Sequence, residues 1–225
     1  MFTSNYELTK KGGNAFKEIL ERDYYVHLPN FFEPATFSML RQEIERLLEK
    51  KHRKDFLMED TDNTPRHIST VGGVMVTENS TLIPALYENA ALMDFLEGVA
   101  GQPIYTVRDK NEHHVINCLH KVGDTHGGHV DSYAYAFNIF FDAPDVDGGG
   151  ELVYVPNSTK ISDLDTDKAI FAHNNVGDAY FFRTDLCAHR VNPLTKDGRR
   201  TILNLVYAEE TTKDLMSYSS SKLYS

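Results

Sequence analysis

Tryptophan is absent from this chain and cysteine nearly so: the two cysteines, Cys118 and Cys187, stand far apart without a CxxC spacing. That argues against a disulfide framework or a zinc site, so both thiols are expected to be reduced and in or near the core. Long apolar runs are missing as well. Nothing approaches the roughly 20 residues that span a bilayer, and the opening MFTSNYELTKKGG lacks the apolar stretch of a secretion signal. A cytoplasmic protein with no membrane partner is expected. Positive charge is also scarce: 23 Lys and Arg against 33 Asp and Glu give a formal net charge of -10. Binding to nucleic acid relies on clustered Lys and Arg, so no nucleic-acid partner is expected. The one basic cluster, KKHRK at 50–54, reads as the solvated end of a helix. A small molecule is the default partner, and the sequence does not indicate an oligomeric state.

What is present suffices for one domain spanning 1–225, with 41% hydrophobic and 11% aromatic residues to build a core. Residues 1–104 read as mostly helical support. In PATFSMLRQEIERLL, Phe37, Leu40, Ile44, Leu47 and Leu48 recur every three or four residues on one helical face, and Pro34 suits the first turn. YYVHL at 24–28 reads as a short strand, and a second helix runs from about Leu82 to Ala100, with Leu86, Met93, Leu96 and Val99 facing the core. Residues 105–210 change character. HHVINCL, YAFNIFF, ELVYV, AYFF and TILNLVYA are short segments separated by turn-forming clusters such as APDVDGGG and TKDGRR. Such a series indicates antiparallel strands closing into a sandwich or barrel. The remaining 211–225, with SYSSSKLYS, is either a frayed terminus or a lid over the barrel mouth.

The chemistry concentrates in THGGHVDSYAYAFNIFF, 125–141, where His126, His129 and Asp131 precede a buried-looking strand. A carboxylate buried without a partner costs several kcal/mol, so something positive should face Asp131. In an extended segment His129 and Asp131 share one face while Val130 turns to the other. His189, in YFFRTDLCAHRVNP, is the best candidate for a third ligand. Two imidazoles and one carboxylate on one side of a metal leave open positions, the arrangement of non-haem Fe(II) oxygenases.

Around these residues the chain resembles the Fe(II)/2-oxoglutarate-dependent dioxygenases. HKVGDTHGGHVD is similar to that family's strand, glycine turn and metal-binding H-x-D; GGGELVYVP, 148–156, to its GGE segment; VGDAYFF, 176–182, to the strand before the distal histidine. HRVNPLTKDGRRTILNL, 189–205, resembles the ending in which a basic residue follows the distal histidine by about ten positions. The resemblance implies a mainly β fold with flanking helices, a double-stranded β-helix or cupin-like jelly-roll. It also implies Fe(II) on His129, Asp131 and His189, with 2-oxoglutarate and O2 as co-substrates. The distal carboxylate of 2-oxoglutarate needs a guanidinium, for which Arg199 and Arg200 compete. If Asn204 faces the pocket, alternation puts Ile202 and Arg200 on its face and Arg199 on the other, beside the turn of Asp197, which favours Arg200.

Within the family, the sequence is most similar to radical halogenases of free lysine and their amino-acid hydroxylase relatives. The halogenases carry glycine at the position of Asp131, where chloride binds the iron; an intact carboxylate implies hydroxylation instead. The resemblance assigns an amino-acid pocket to Arg66, Glu112, His126, Ser132 and Asn204, with Arg66 for the substrate carboxylate. A free amino acid needs receptors of both signs, which Arg66 and Glu112 would supply. Alternatively Arg66 forms a loop salt bridge, Glu112 is an exposed strand-edge charge and His126 stabilises a turn. Ser132 replaces an acidic residue of the lysine enzymes, Val206 a hydroxyl-bearing one, and Tyr224 stands in for their C-terminal tryptophans. A peptide hydroxylase on the same barrel and a non-catalytic metal-binding sensor are the competing readings.

Overall fold

The computed structural model describes residues 2–225. In chain order the elements are α1 (Lys10–Asn14), α2 (Lys17–Asp23), β1 (Tyr25–Leu28), α3 (Pro34–Leu48), β2 (His52–Met58), β3 (Thr64–Val71), α4 (Gly73–Asn79), α5 (Leu82–Tyr87), α6 (Ala90–Ala100) and β4 (Tyr105–Thr106). There follow β5 (His114–Leu119), β6 (Thr125–His129), β7 (Tyr135–Asp142), β8 (Leu152–Val155), β9 (Ile170–Ala172), β10 (Ala179–Arg183), β11 (Ala188–Val191), β12 (Arg200–Ala208) and α7 (Tyr218–Tyr224). Hydrogen bonds join the strands in the order β1-β10-β7-β12-β5-β3-β6-β11-β8-β9, with β2 on β3 and β4 on β12. The pairs are antiparallel, and the band curls into the jelly-roll. No helix is long and apolar enough to cross a membrane among the described residues.

Alternation along β7 and β12 explains why both read as nearly unbroken apolar runs. Phe137, Ile139 and Phe141 of β7 and Leu203, Leu205 and Tyr207 of β12 join the helices in the main core. There the Phe37 ring of α3 stacks on Phe141 with centroids 5.4 Å apart. The intervening Ala136 and Asn138, with Arg200, Ile202 and Asn204, face the barrel interior. A sheet covered on both faces loses the clean polar alternation of a solvated one. The helical outer layer and the lined interior are thus two products of one period-two pattern.

The N-terminal third departs from the expected helical support. Helix α3 spans PATFSMLRQEIERLL as the periodicity predicts, with Leu40, Ile44, Leu47 and Leu48 buried. The KKHRK cluster, however, belongs largely to β2 and not to a helix end, and Arg53 Nη1 lies 2.7 Å from the buried Asp124 Oδ1. Strand β3 sits inside the barrel between β5 and β6. The hairpin escaped the sequence reading because β2 exposes most of its length and buries only Met58. The long helix predicted over 82–100 is two helices: the Asn89 side chain accepts from Leu92 N at 3.0 Å and starts α6 anew.

Glycines at 127 and 128 lie within β6, not in a turn; the turn glycine is Gly123, at φ +86°. A Cβ on Gly127 would lie 2.7 Å from Pro65 O. Only glycine lets β3 approach β6 this closely. That approach pairs Arg66 with His126 across the strands, next to His129.

Candidate active site

Antiparallel pairing of β6 with β11 sets His129 directly opposite His189. Their ring centroids are 4.1 Å apart, and Asp131, just past the end of β6, completes the group. Asp131 Oδ1 is 3.4 Å from His129 Nε2 and Oδ2 is 3.8 Å from His189 Nε2. One donor atom from each residue lies within 4.8 Å of the others, the one such trio of metal-ligating side chains among the described residues. The tautomers follow from the backbone. His129 Nδ1 is 2.8 Å from Gly127 O and His189 Nδ1 is 2.9 Å from Cys187 O. A carbonyl only accepts, so each Nδ1 carries the proton and each Nε2 turns a lone pair to the common point.

Electrostatics agree with that arrangement. Burial, with His189 and His126 nearby, holds the His129 pKa well below the ordinary histidine value, so its ring is a neutral ligand. Burial also raises the Asp131 carboxyl, against the lowering effects of His189, Thr184 and Arg66. A part-buried carboxylate beside two imidazoles that turn their Nε2 lone pairs toward it calls for a cation, and the N2O donor set suits Fe(II).

The adjacent arginines have opposite fates. Arg200 is buried in the same pocket, its Nε and Nη2 without partners and its guanidinium 5.0 Å from the Phe140 ring centroid. Burial lowers its pKa, while the neighbouring Tyr180 hydroxyl acts the other way. Arg199 points out of the pocket and pairs with Glu45 and, at 2.7 Å, with Asp142. It is therefore not placed to hold 2-oxoglutarate, and its partners come from α3 and β7, not from the turn of Asp197. Ile202 and Asn204 line the pocket with Arg200, as alternation predicts.

The cavity, of about 220 Å³, also gathers Arg66, Glu112, His126, Ser132 and Asn204. Arg66 is 1% exposed and makes no salt bridge among the described residues. Its guanidinium donates to Thr64 Oγ1 at 2.9 Å and Thr61 Oγ1 at 3.0 Å, and its Nε meets nothing. Burial without a carboxylate partner pulls its pKa down to about 10. Glu112 is not an exposed edge charge: its Oε2 is buried and unpartnered, and burial beside Asp131 and Asp109 pushes its pKa up to about 8. His126 stacks on His129 at 4.4 Å with a free Nε2. Ser132 lies on the exposed side of the lining.

Three lining residues went unnoticed in the sequence. Asn117 and Asn138 are buried with their Oδ1 atoms unpartnered, and Tyr180 stands beside Arg200. Their signal was a single amide inside each of HVINCL and YAFNIFF: Asn138 pairs with Asn204 across β7 and β12, at the register of the interior face. The tail is no frayed end. Helix α7 walls the cavity with Leu223 and Tyr224, held by Thr70 Oγ1 donating to Leu223 O at 2.7 Å and Asn117 Nδ2 to Tyr224 Oη at 3.4 Å.

A family profile described as Halogenase D matches residues 8–223. The chain belongs to the Halogenase D family. No curated protein sequence matches it. Among solved structures, this Halogenase D family member is similar to the non-haem α-ketoglutarate-dependent epimerase SnoN from nogalamycin biosynthesis. The TM-score is 0.69 at 16% identity, over 89% of this chain and 84% of that one. A prolyl hydroxylase from Trichoplax adhaerens, in complex with a hypoxia inducible factor peptide, gives 0.64 at 15% identity, over 92% and 94%. HygX from Streptomyces hygroscopicus, with nickel, 2-oxoglutarate and hygromycin B bound, gives 0.61 at 14% identity, over 87% of each chain. These neighbours share the jelly-roll fold; SnoN is α-ketoglutarate-dependent by name and also occurs with Fe3+ and α-ketoglutarate bound, and HygX holds 2-oxoglutarate.

Proposed function

We propose that the protein is an Fe(II)/2-oxoglutarate-dependent hydroxylase of an unactivated C–H bond in a free amino acid, lysine or a similar one. One observation carries this reading. A single small cavity joins three metal donors, a buried guanidinium without an anion, and unpaired groups of both signs, Arg66 and Glu112.

His129, Asp131 and His189 would hold Fe(II), and the unpartnered Nε and Nη2 of Arg200 would hold the distal carboxylate of 2-oxoglutarate, with Tyr180 beside it. Fe(II), 2-oxoglutarate and O2 together supply the oxidising power, with succinate and CO2 as co-products. The protein's share is placement and exclusion of water. Arg66, already braced by two threonine hydroxyls, keeps its Nε for a substrate carboxylate. Glu112 is mostly protonated at neutral pH in the free pocket. An incoming ammonium favours its ionised form, so substrate binding near neutral pH releases a proton from the pair.

The intact Asp131 supports hydroxylation over halogenation, because its carboxylate fills the coordination position that the resemblance leaves to chloride in the halogenases. Turnover with chloride present tests this: a product gaining one oxygen supports the reading, and a chlorinated product sinks it. A peptide substrate, suggested by the likeness to a prolyl hydroxylase, needs an open groove. Here α7 walls the cavity, which favours a small molecule.

A further inference from the structure

Asp109 takes no part in the chemistry described so far, yet it is 0% exposed and makes no salt bridge among the described residues. A buried carboxylate in that position depends on its hydrogen bonds. Asp109 has three. Its Oδ1 accepts from Asn111 N at 3.0 Å, and its Oδ2 accepts from Ser220 Oγ at 2.5 Å and Ser217 N at 3.2 Å. Two of the three donors therefore belong to the tail.

The third belongs to the turn that carries Glu112. Asp109 O accepts from both Glu112 N and His113 N at 3.1 Å, so the turn is wound around this one residue. Ser217, the cap of α7, lines the same pocket as Glu112. Asp109 thus bonds both to the tail and to the turn that presents Glu112 to the pocket. Other fastenings of the tail, among them Tyr133 Oη donating to Leu215 O, Thr70 Oγ1 to Leu223 O and Asn117 Nδ2 to Tyr224 Oη, bypass the turn.

We propose that Asp109 is a positioning residue that couples closure of the tail to the placement of Glu112. When the tail lifts, Asp109 loses two of its three donors and draws water. The turn then relaxes and Glu112 leaves its post. When the tail seats, the same bonds restore the turn, so Glu112 is set for a substrate ammonium only in the closed pocket. The role of Glu112 as that receptor rests on the amino-acid reading above; the coupling itself does not.

Hydrogen–deuterium exchange on the purified chain, without substrate, tests the coupling. Ser220→Ala removes one bond from the tail side and leaves the turn's own sequence untouched. The expected result is exchange about tenfold faster both in the tail and at Asn111, Glu112 and His113, with β12 unchanged as a sign of an intact fold. A faster tail with an unchanged turn, or no change in either, overturns the proposal. Asp109→Asn should reproduce the effect, and if it fails to fold the serine variant decides alone. In turnover, Ser220→Ala should raise KM for the amino acid and release more succinate per hydroxylated product, while KM for 2-oxoglutarate stays constant. Absence of amino-acid turnover in the parent protein would overturn the substrate reading and leave the exchange result standing.

Discussion

At the metal end of the pocket each imidazole commits its Nδ1 to a backbone carbonyl and turns Nε2 inward. In the substrate part of the same cavity, by contrast, Arg66, Glu112, Asn117 and Asn204 keep buried polar atoms that meet no partner. Buried groups are almost always paired, and each exception asks for a cause. The metal end is specified from within the protein, through strand pairing and fixed tautomers. The other groups would be completed by the proposed substrate, which brings donors and acceptors of its own, so the two sets should respond differently to substitution.

The largest effect is expected at the metal end. Asp131→Ala should abolish hydroxylation, measured as loss of substrate-dependent succinate together with loss of bound iron; wild-type turnover would overturn the metal assignment. Next comes the arginine pair. Arg200→Ala should raise KM for 2-oxoglutarate about a hundredfold, in line with about 3 kcal/mol for a buried charge-assisted contact. Arg199→Ala should leave that KM unchanged and cost at most about 1 kcal/mol in urea titrations, since its pairs are partly solvated.

The substrate part gives smaller and more selective effects. Arg66→Met should raise KM for the amino acid at least tenfold and leave KM for 2-oxoglutarate alone. An equal rise in both would erase the distinction between the two sets. The last prediction concerns pH. The folded chain keeps the Glu112 proton up to about pH 8, whereas the unfolded chain releases it near 4.5. Between those values the folded state binds more protons, so this group's contribution to stability is full below 4.5 and falls as pH rises. Glu112→Gln removes that loss. Its unfolding free energy relative to the parent's should therefore climb from pH 5 to pH 8, by an amount on the order of a few kcal/mol, and a flat difference would contradict the burial of this carboxyl.

The same contrast decides what could be read from the sequence. His129, Asp131 and His189 lie in short ordered motifs, because strand ends and a two-residue spacing fix them locally. That Arg200 and not Arg199 faces the cavity followed from alternation along one strand. Strand β3 was missed because its partner β2 lies mostly in solvent and shows little apolar patterning. That omission hid why Arg66, on β3, stands beside His126. Asn117 and Asn138 each looked like a lone polar residue in an apolar run, and only the closed barrel shows that they face one cavity. The tail is polar and serine-rich, so its order depends on Asp109 and Thr70, about 110 and 150 residues away in sequence.

The most direct test of the two-part pocket is succinate release by anaerobically iron-loaded protein with 2-oxoglutarate, on admitting O2, across a panel of free amino acids and matched peptides. The account predicts that one or a few free amino acids, with both charged termini intact, stimulate succinate and gain a single oxygen. Stimulation by peptides alone, or no succinate under any condition, would contradict it.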